Sequence, residues 1–397
     1  MATVRLALFT DTYAPEMNGV AKTLERWTAY LRGKGVPCLV FAPSHPQGDE
    51  KAPGMAERLR SMPFVLYPEL RVSMPQKAGV ESKLLRFAPT VVHAATPFGV
   101  GLSGRQLALK HGIPLVASHH THYVRYLPYY HLQWLHPITA KYLKWFHRPC
   151  RRIYVPSQSV LEECRSDGWP GLELWSRGVD TSLFRPEPRR EALREELGAG
   201  GGLRAVLYAG RLAPEKQAEV AVEAVHRYER AAGRPCELWV AGDGPSLEEL
   251  RALAERLGVR ARFLGALTQP ELRRRMAAAD ALLFPSSTET FGNVALEAMA
   301  CGLPVVGARG GALPDLIRDE ANGLLCSPGD AEHFAAALAR LDADEALARR
   351  LSEGGLRTAA ERSWDSVFDR LLADLERVAL TGRAAPEQAA AAGGPAR

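Results

Sequence analysis

The sequence predicts an α/β protein built from two doubly wound domains that face a central cleft. Short apolar runs alternate with amphipathic stretches along nearly the whole chain, the alternation pauses once near the middle, and 397 residues give room for two domains of ordinary size. Such alternation means parallel strands covered by helices on both faces.

Taken in order, Val4–Thr10 reads as a strand, and Val20–Arg32 as a helix that places Leu24, Trp27 and Leu31 on one face. Cys38–Ala42, Val91–Ala94, Pro114–Ser118 and Ile153–Val155 read as further strands, each followed by a helical pattern. The pause falls at Gly178–Gly202, which holds Pro186, Pro188 and the glycines Gly198, Gly200, Gly201 and Gly202, and is expected to be the interdomain linker. Strands resume at Arg204–Ala209, Glu237–Ala241, Arg262–Leu264, Ala281–Phe284 and Pro304–Val306. The expected division is a first domain over 1–180, a second over 181–363, a closing helix over 364–381 that folds back on the first domain, and a disordered tail over 382–397. In such sheets ligands bind outside the carboxyl ends of the strands.

Hydrophobic residues at 46% and charged ones at 24% are globular values and exclude general disorder. No run of about 20 apolar residues is present to span a membrane. The apolar start Leu6–Phe9 is too short for a signal-peptide core and is stopped by Asp11, so a cytosolic chain is expected. The six cysteines stand singly, which argues for buried thiols rather than structural zinc. The net charge of +5 conceals an asymmetry: residues 1–180 carry 22 basic and 13 acidic side chains, and residues 82–161 hold ten Lys or Arg and no Asp or Glu. That stretch asks for an anionic partner.

Three strand ends of the second domain carry polar groups that packing does not demand. Gly210-Arg-Leu-Ala-Pro-Glu-Lys216 sets Arg211 and Lys216 around a turn that enters a helix, a fork and a point charge suited to a diphosphate. Two surface cations would be the bland alternative, but a helix start disfavours cations unless an anion offsets them. Ala241-Gly-Asp-Gly-Pro-Ser246 is weaker, since its glycines satisfy a turn and Ser246 suits a helix cap. Pro285–Glu297 runs from a strand through a polar loop into a helix near Gly292, so the free N–H groups of Asn293 and Val294 form an anion site. Glu289 before them and Glu297 beyond them place carboxylates on either side, one for a hexose and one for a ribose. Together they describe a nucleotide-sugar site.

In the first domain, Gly19 opens a helix and allows close backbone approach to a phosphate or sugar; a loop glycine of positive φ is the alternative. Ala117-Ser-His-His-Thr-His-Tyr123 suggests metal at first sight, but consecutive positions do not converge on one ion easily. The acid-free stretch then interleaves Tyr123, Tyr126, Tyr129, Tyr130, Trp134, Tyr142 and Trp145 with Arg125, Lys141, Lys144, Arg148, Arg151 and Arg152. That mixture suits a membrane interface with anionic headgroups. A buried aromatic cluster with a solvated basic face is the competing explanation, and nucleic acid is a third without any recognition motif to support it.

Glu-x7-Glu at 289 and 297, the Gly-Arg-Leu-x-x-Glu-Lys run at 210–216 and Gly-Gly-Ala-Leu-Pro at 310–314 resemble the retaining glycosyltransferases of family 4, from about residue 4 to residue 380. The resemblance implies the GT-B architecture of two Rossmann-like domains. It assigns Arg211 and Lys216 to the donor diphosphate, Glu289 to the donor sugar, Glu297 to the ribose, and Phe291, Gly292, Asn293 and Val294 to the lining of that site. Gly19 lies in the family's first loop, where Asn18-Gly19-Val20 stands in place of Gly-Gly-Val. His120 matches the active-site histidine and is expected at the sugar, with His119 and His122 facing acceptor or solvent. No metal is implied and no other cofactor.

Leu66–Pro75, Lys141–His147 and Trp175–Phe184 look like the subgroup that glycosylates membrane glycolipids. The expectation is therefore transfer of mannose from GDP-mannose to a lipid acceptor, or of a UDP-linked hexose such as sulfoquinovose. Tyr123, Arg125, Tyr126, Lys141, Lys144 and Trp145 would serve the acceptor and the inner membrane face. A nucleotide-sugar epimerase or hydrolase of the same fold would share the donor site, whereas a nucleic-acid-binding protein would leave it unexplained.

Overall fold

The computed structural model describes residues 4–16, 18–44, 56–64, 67–73, 77–121, 123–188, 190–200 and 202–391. The first sheet orders seven parallel strands as Glu57–Leu59, Cys38–Pro43, Leu6–Phe9, Val91–Ala94, Leu115–Ser118, Arg152–Val155 and Leu172–Leu174. The second orders six as Ala261–Gly265, Cys236–Ala241, Arg204–Ala209, Ala281–Phe284, Val305–Ala308 and Leu324–Cys326. Each sheet starts in its middle and winds outward both ways. The order therefore reverses between Leu6–Phe9 and Val91–Ala94 in one, and between Arg204–Ala209 and Ala281–Phe284 in the other. At such a reversal neighbouring loops turn to opposite faces and leave a crevice at the strand ends. This is the GT-B arrangement.

The apolar runs read from sequence are the buried strands, and Leu24, Trp27 and Leu31 of helix Gly19–Gly33 are buried together in the first domain. Helix Trp364–Ala391 returns to that core and inserts Val367, Phe368, Leu371, Leu375 and Val378 against Trp27 and Trp175. Burying such side chains stabilises by about 1.5–3 kcal/mol each. Its Asp374 is 2% exposed and accepts from the Tyr154 hydroxyl at 2.9 Å. The chain crosses between the domains twice, side by side: Val179 N–H donates to Arg362 O at 2.9 Å. A Cβ on Gly178 would stand 2.7 Å from Trp364 N, so only glycine lets the crossings touch.

Two expectations change. The stretch 178–202 is not all linker, because Arg190–Glu196 forms a helix whose Arg190 and Arg194 both bind Asp280 of the second domain. Prolines and glycines at its borders hid a helix-forming run between them. The closing helix also continues to Ala391, past the tail boundary at 382, through residues rich in alanine, the strongest helix former.

Candidate functional site at the interdomain cleft

Loops at the strand ends of both sheets meet in the cleft. Lys216, in the short turn Pro214–Lys216 after strand Arg204–Ala209, donates to Glu289 Oε1 at 2.6 Å. Burial works against the lysine's charge, but the Glu289 carboxylate outweighs it and holds the ammonium above its ordinary pKa. Arg211 lies half-buried in the same loop, its pKa lowered by desolvation and supported by the Glu215 charge. Glu215 was not singled out from sequence, yet it is 1% exposed and accepts from the Tyr130 hydroxyl across the cleft at 2.9 Å. Its place between two residues already singled out was the available signal.

Helix Asn293–Ala300 begins at Gly292, whose φ of 98° and ψ of 52° are left-handed and which offers no side-chain cap. The first N–H groups therefore lack the usual capping oxygen. Opposite them stands the start of helix Gly19–Gly33: a Cβ on Gly19 would meet Asn293 Nδ2 at 3.4 Å. Asn18 caps this second helix by accepting from Ala21 N–H at 2.9 Å. Two helix N-termini thus face each other, a geometry suited to an anion. Val294 is half-buried, whereas Phe291 is 7% exposed and packed in the second domain's core. Phe291 therefore supports the loop rather than lining the cleft, because a benzyl group beside strand Ala281–Phe284 loses more by facing water.

Glu297 sits one turn into the helix with some surface left. Burial raises its pKa to about 7, against the opposing charges of Lys22 and Arg26 from the first domain. The glycine pair at 310–311 acquires a physical role. Gly311 has φ 56°, and a Cβ there would lie 2.6 Å from Glu289 O, while Ala312 N–H donates to that same carbonyl at 2.8 Å. Gly242 and Gly244 likewise permit contact, with a Cβ at 1.8 Å from Gly210 O and at 2.3 Å from Leu212 O. Ser246 occupies its helix's cap position without a side-chain cap bond.

His120 is 6% exposed and joins the Pro285–Glu297 loop through its carbonyl, which accepts from Thr290 Oγ1 at 2.9 Å. His119, expected to face acceptor or solvent, is instead buried edge-on to Trp169 at 5.0 Å. His122 and the segment Leu66–Pro75 lie outside the residues whose side chains are described.

The residues expected at the membrane separate into two groups. Tyr123 turns inward against Phe98 and His119, and Tyr126 packs on Lys216, which is hydrogen-bonded to its hydroxyl. Both side chains are half-buried, turned toward the cleft rather than fully to solvent. Arg125 pairs with Glu163 at 2.6 Å. Helix His136–His147 and its C-cap residue Arg148 carry the outward group: Lys141, Lys144 and Arg148 are exposed and form no ion pair among the described residues. Trp134, Ile138 and Trp145 stand beside them at 67%, 62% and 47% exposure. Within helix His136–His147, spacings of three and four set 138, 141 and 145 along one stripe, and Trp134 stands in the 3-10 turn Gln133–Leu135 just before it. Arg105 lies beneath the Trp145 ring at 3.9 Å and holds it in place. Among the described residues, no helix is long and apolar enough to cross a membrane.

Two family models match the chain: Glycosyltransferase Family 4 over residues 17–183 and Glycosyl transferases group 1 over residues 189–358. A GDP-mannose-dependent alpha-mannosyltransferase of Mycobacterium tuberculosis (strain CDC 1551 / Oshkosh) is 32% identical over 390 residues, 95% of this chain and 98% of that one. The alpha-monoglucosyldiacylglycerol synthase of Streptococcus pneumoniae is 28% identical over 332 residues, 81% of this chain and 75% of its relative. Among solved structures, Anabaena HepE with UDP superposes with a TM-score of 0.76 at 21% identity, covering 94% of this chain and 100% of the other.

Proposed function

The chain belongs to the family 4, group 1 glycosyltransferases, and from that membership we propose that it moves mannose from GDP-mannose to the hydroxyl of a membrane lipid, with retention at the anomeric carbon. The observation that carries this reading is the Lys216–Glu289 pair at 2.6 Å beside an uncapped helix start, where an anionic leaving group and a hydroxyl-rich sugar both find partners. Arg211, Lys216 and the N–H groups of Asn293 and Val294 hold the diphosphate. Glu289 accepts from sugar hydroxyls, Glu297 from the ribose, and His120 contacts the sugar. The lipid hydroxyl approaches the anomeric carbon from the face the diphosphate leaves. The new C–O bond forms as the old one breaks, and the hydroxyl proton passes to a departing phosphate oxygen. Cations and the helix dipole stabilise that oxygen without a metal, so transfer persists in EDTA. Closure of the cleft excludes water and favours transfer over hydrolysis.

The mannose donor follows the mycobacterial relative's name. The lipid acceptor follows the exposed aromatic and basic stripe on helix His136–His147, which docks on an anionic inner membrane face. The test is a screen of GDP-mannose and UDP-hexoses against anionic lipid vesicles, with mass detection and anomeric analysis of the product. A mannosylated lipid of retained configuration is expected. Equal donor turnover with and without lipid would instead identify a hydrolase or epimerase, and an inverted product would overturn the front-face path. Glu289→Ala is expected to abolish transfer, and Lys216→Ala to lower kcat about 10²-fold while weakening donor binding.

A further inference from the structure

Arg177 is a buried cation without a buried anion. It is 4% exposed and forms no ion pair with a carboxylate among the described residues. Its guanidinium donates to Trp175 O at 3.2 Å and lies over the Trp175 ring at 5.3 Å. The second guanidinium nitrogen is 2.7 Å from His120 Nδ1. Burying an arginine this way is costly, and a fold that needed only packing would place an apolar residue there.

The chemistry of that 2.7 Å contact is one-sided. A guanidinium has donors and no acceptor, and it stays protonated. His120 Nδ1 must therefore present its lone pair, and the ring proton must sit on Nε2. Nε2 itself is buried and has no partner among the described residues, so its N–H is free for a ligand. Where a carboxylate holds a histidine, the opposite holds: Nδ1 carries the proton and Nε2 becomes a base. The groups facing His120 agree, since Arg177, His93 and His119 all disfavour a second proton on an imidazole that burial already keeps neutral.

We propose that Arg177 is a positioning residue that locks His120 in the Nε2–H form, so that His120 serves only as a hydrogen-bond donor to the reactants and never accepts the acceptor's proton. This rests on the transfer reading above and sharpens it, because the proton then has the departing diphosphate as its destination.

Histidine-selective 15N NMR of the full-length protein reads the tautomer directly, with the His120 signal assigned by its loss in His120→Asn. The expected spectrum has Nε2 protonated and Nδ1 bare, unchanged from pH 8 to pH 5.5. Arg177→Met is expected to mix the tautomers, lower kcat about 10²-fold with donor KM little changed, and introduce a new acid limb in the pH–rate profile. Arg177→Lys, another donor-only cation, restores the tautomer and part of the rate. A wild-type Nδ1–H signal overturns the proposal, as does Arg177→Met with wild-type kcat and pH profile. The wild-type spectrum decides the matter even where Arg177→Met fails to fold. It is also independent of transfer: the expected tautomer in a protein that glycosylates no lipid would overturn the transfer reading alone.

Discussion

Glu297 shows how one side chain turns burial into pH dependence. Its pKa near 7 means that the carboxylate gains a proton as pH falls through neutrality, which in the proposed ribose role weakens it as an acceptor. Donor KM is therefore expected to rise several-fold between pH 8 and pH 6, while Glu297→Gln shows a high KM at both. A wild-type KM that is flat over that interval would remove Glu297 from the ribose. Gly311 acts at the same scale through geometry. Gly311→Ala puts a methyl group into the Glu289 backbone and costs about 1–2 kcal/mol of left-handed strain. Transfer is expected to fall far more than the melting temperature does, because the displaced atoms belong to the loop that carries Glu289 in the proposed donor site.

Among the elements, helix His136–His147 carries two jobs on two faces. Its inward face seats Leu143, Phe146 and His147, and its outward face shows Trp145, Lys141 and Lys144 to solvent. Each lysine near an anionic surface contributes about 1 kcal/mol. The double variant Lys141→Glu/Lys144→Glu is thus expected to lose at least tenfold in sedimentation with anionic vesicles, with donor binding intact. Unchanged vesicle binding would refute the docking face. The preceding segment, Tyr123–Tyr130, belongs to the cleft, where Tyr129 and Tyr130 reach Ser287 and Glu215. An aromatic-rich basic run is thus divided by packing into a wall of the cleft and a surface stripe.

For the whole molecule, the first domain's core is held neutral at several histidines. Burial lowers His93 to about 3 and His147 to about 4, whereas in the unfolded chain both take a proton near pH 6.5. Between those values the unfolded state binds more protons, so stability is full above pH 6.5 and is lost as pH falls towards 4. Each such histidine loses about 1.4 kcal/mol per pH unit across the window. The melting temperature is expected to drop by roughly 5 °C or more from pH 7 to pH 5, and His93→Gln should flatten that slope. The net charge of +5 divides in the same molecular frame: the basic surplus lies on the domain with the exposed stripe, and the proposed donor site brings Arg211, Lys216 and a helix end to the cleft.

By itself, the sequence determined the two parallel sheets, the polar loops at their strand ends, and the pair of carboxylates that bracket a helix start. These are local properties, set by hydrophobic period, turn residues and the chemistry of side chains within a few positions of each other. Tertiary structure decided what depends on neighbours distant in the chain. It sent Phe291 into the core, turned the half-buried Tyr123 and Tyr126 toward the cleft, and hid a helix between the prolines and glycines of 178–202. It also placed Arg177 against His120, 57 positions away, a contact that no spacing encodes. Which atom of an imidazole carries the proton is settled by the group that packing brings to its other side.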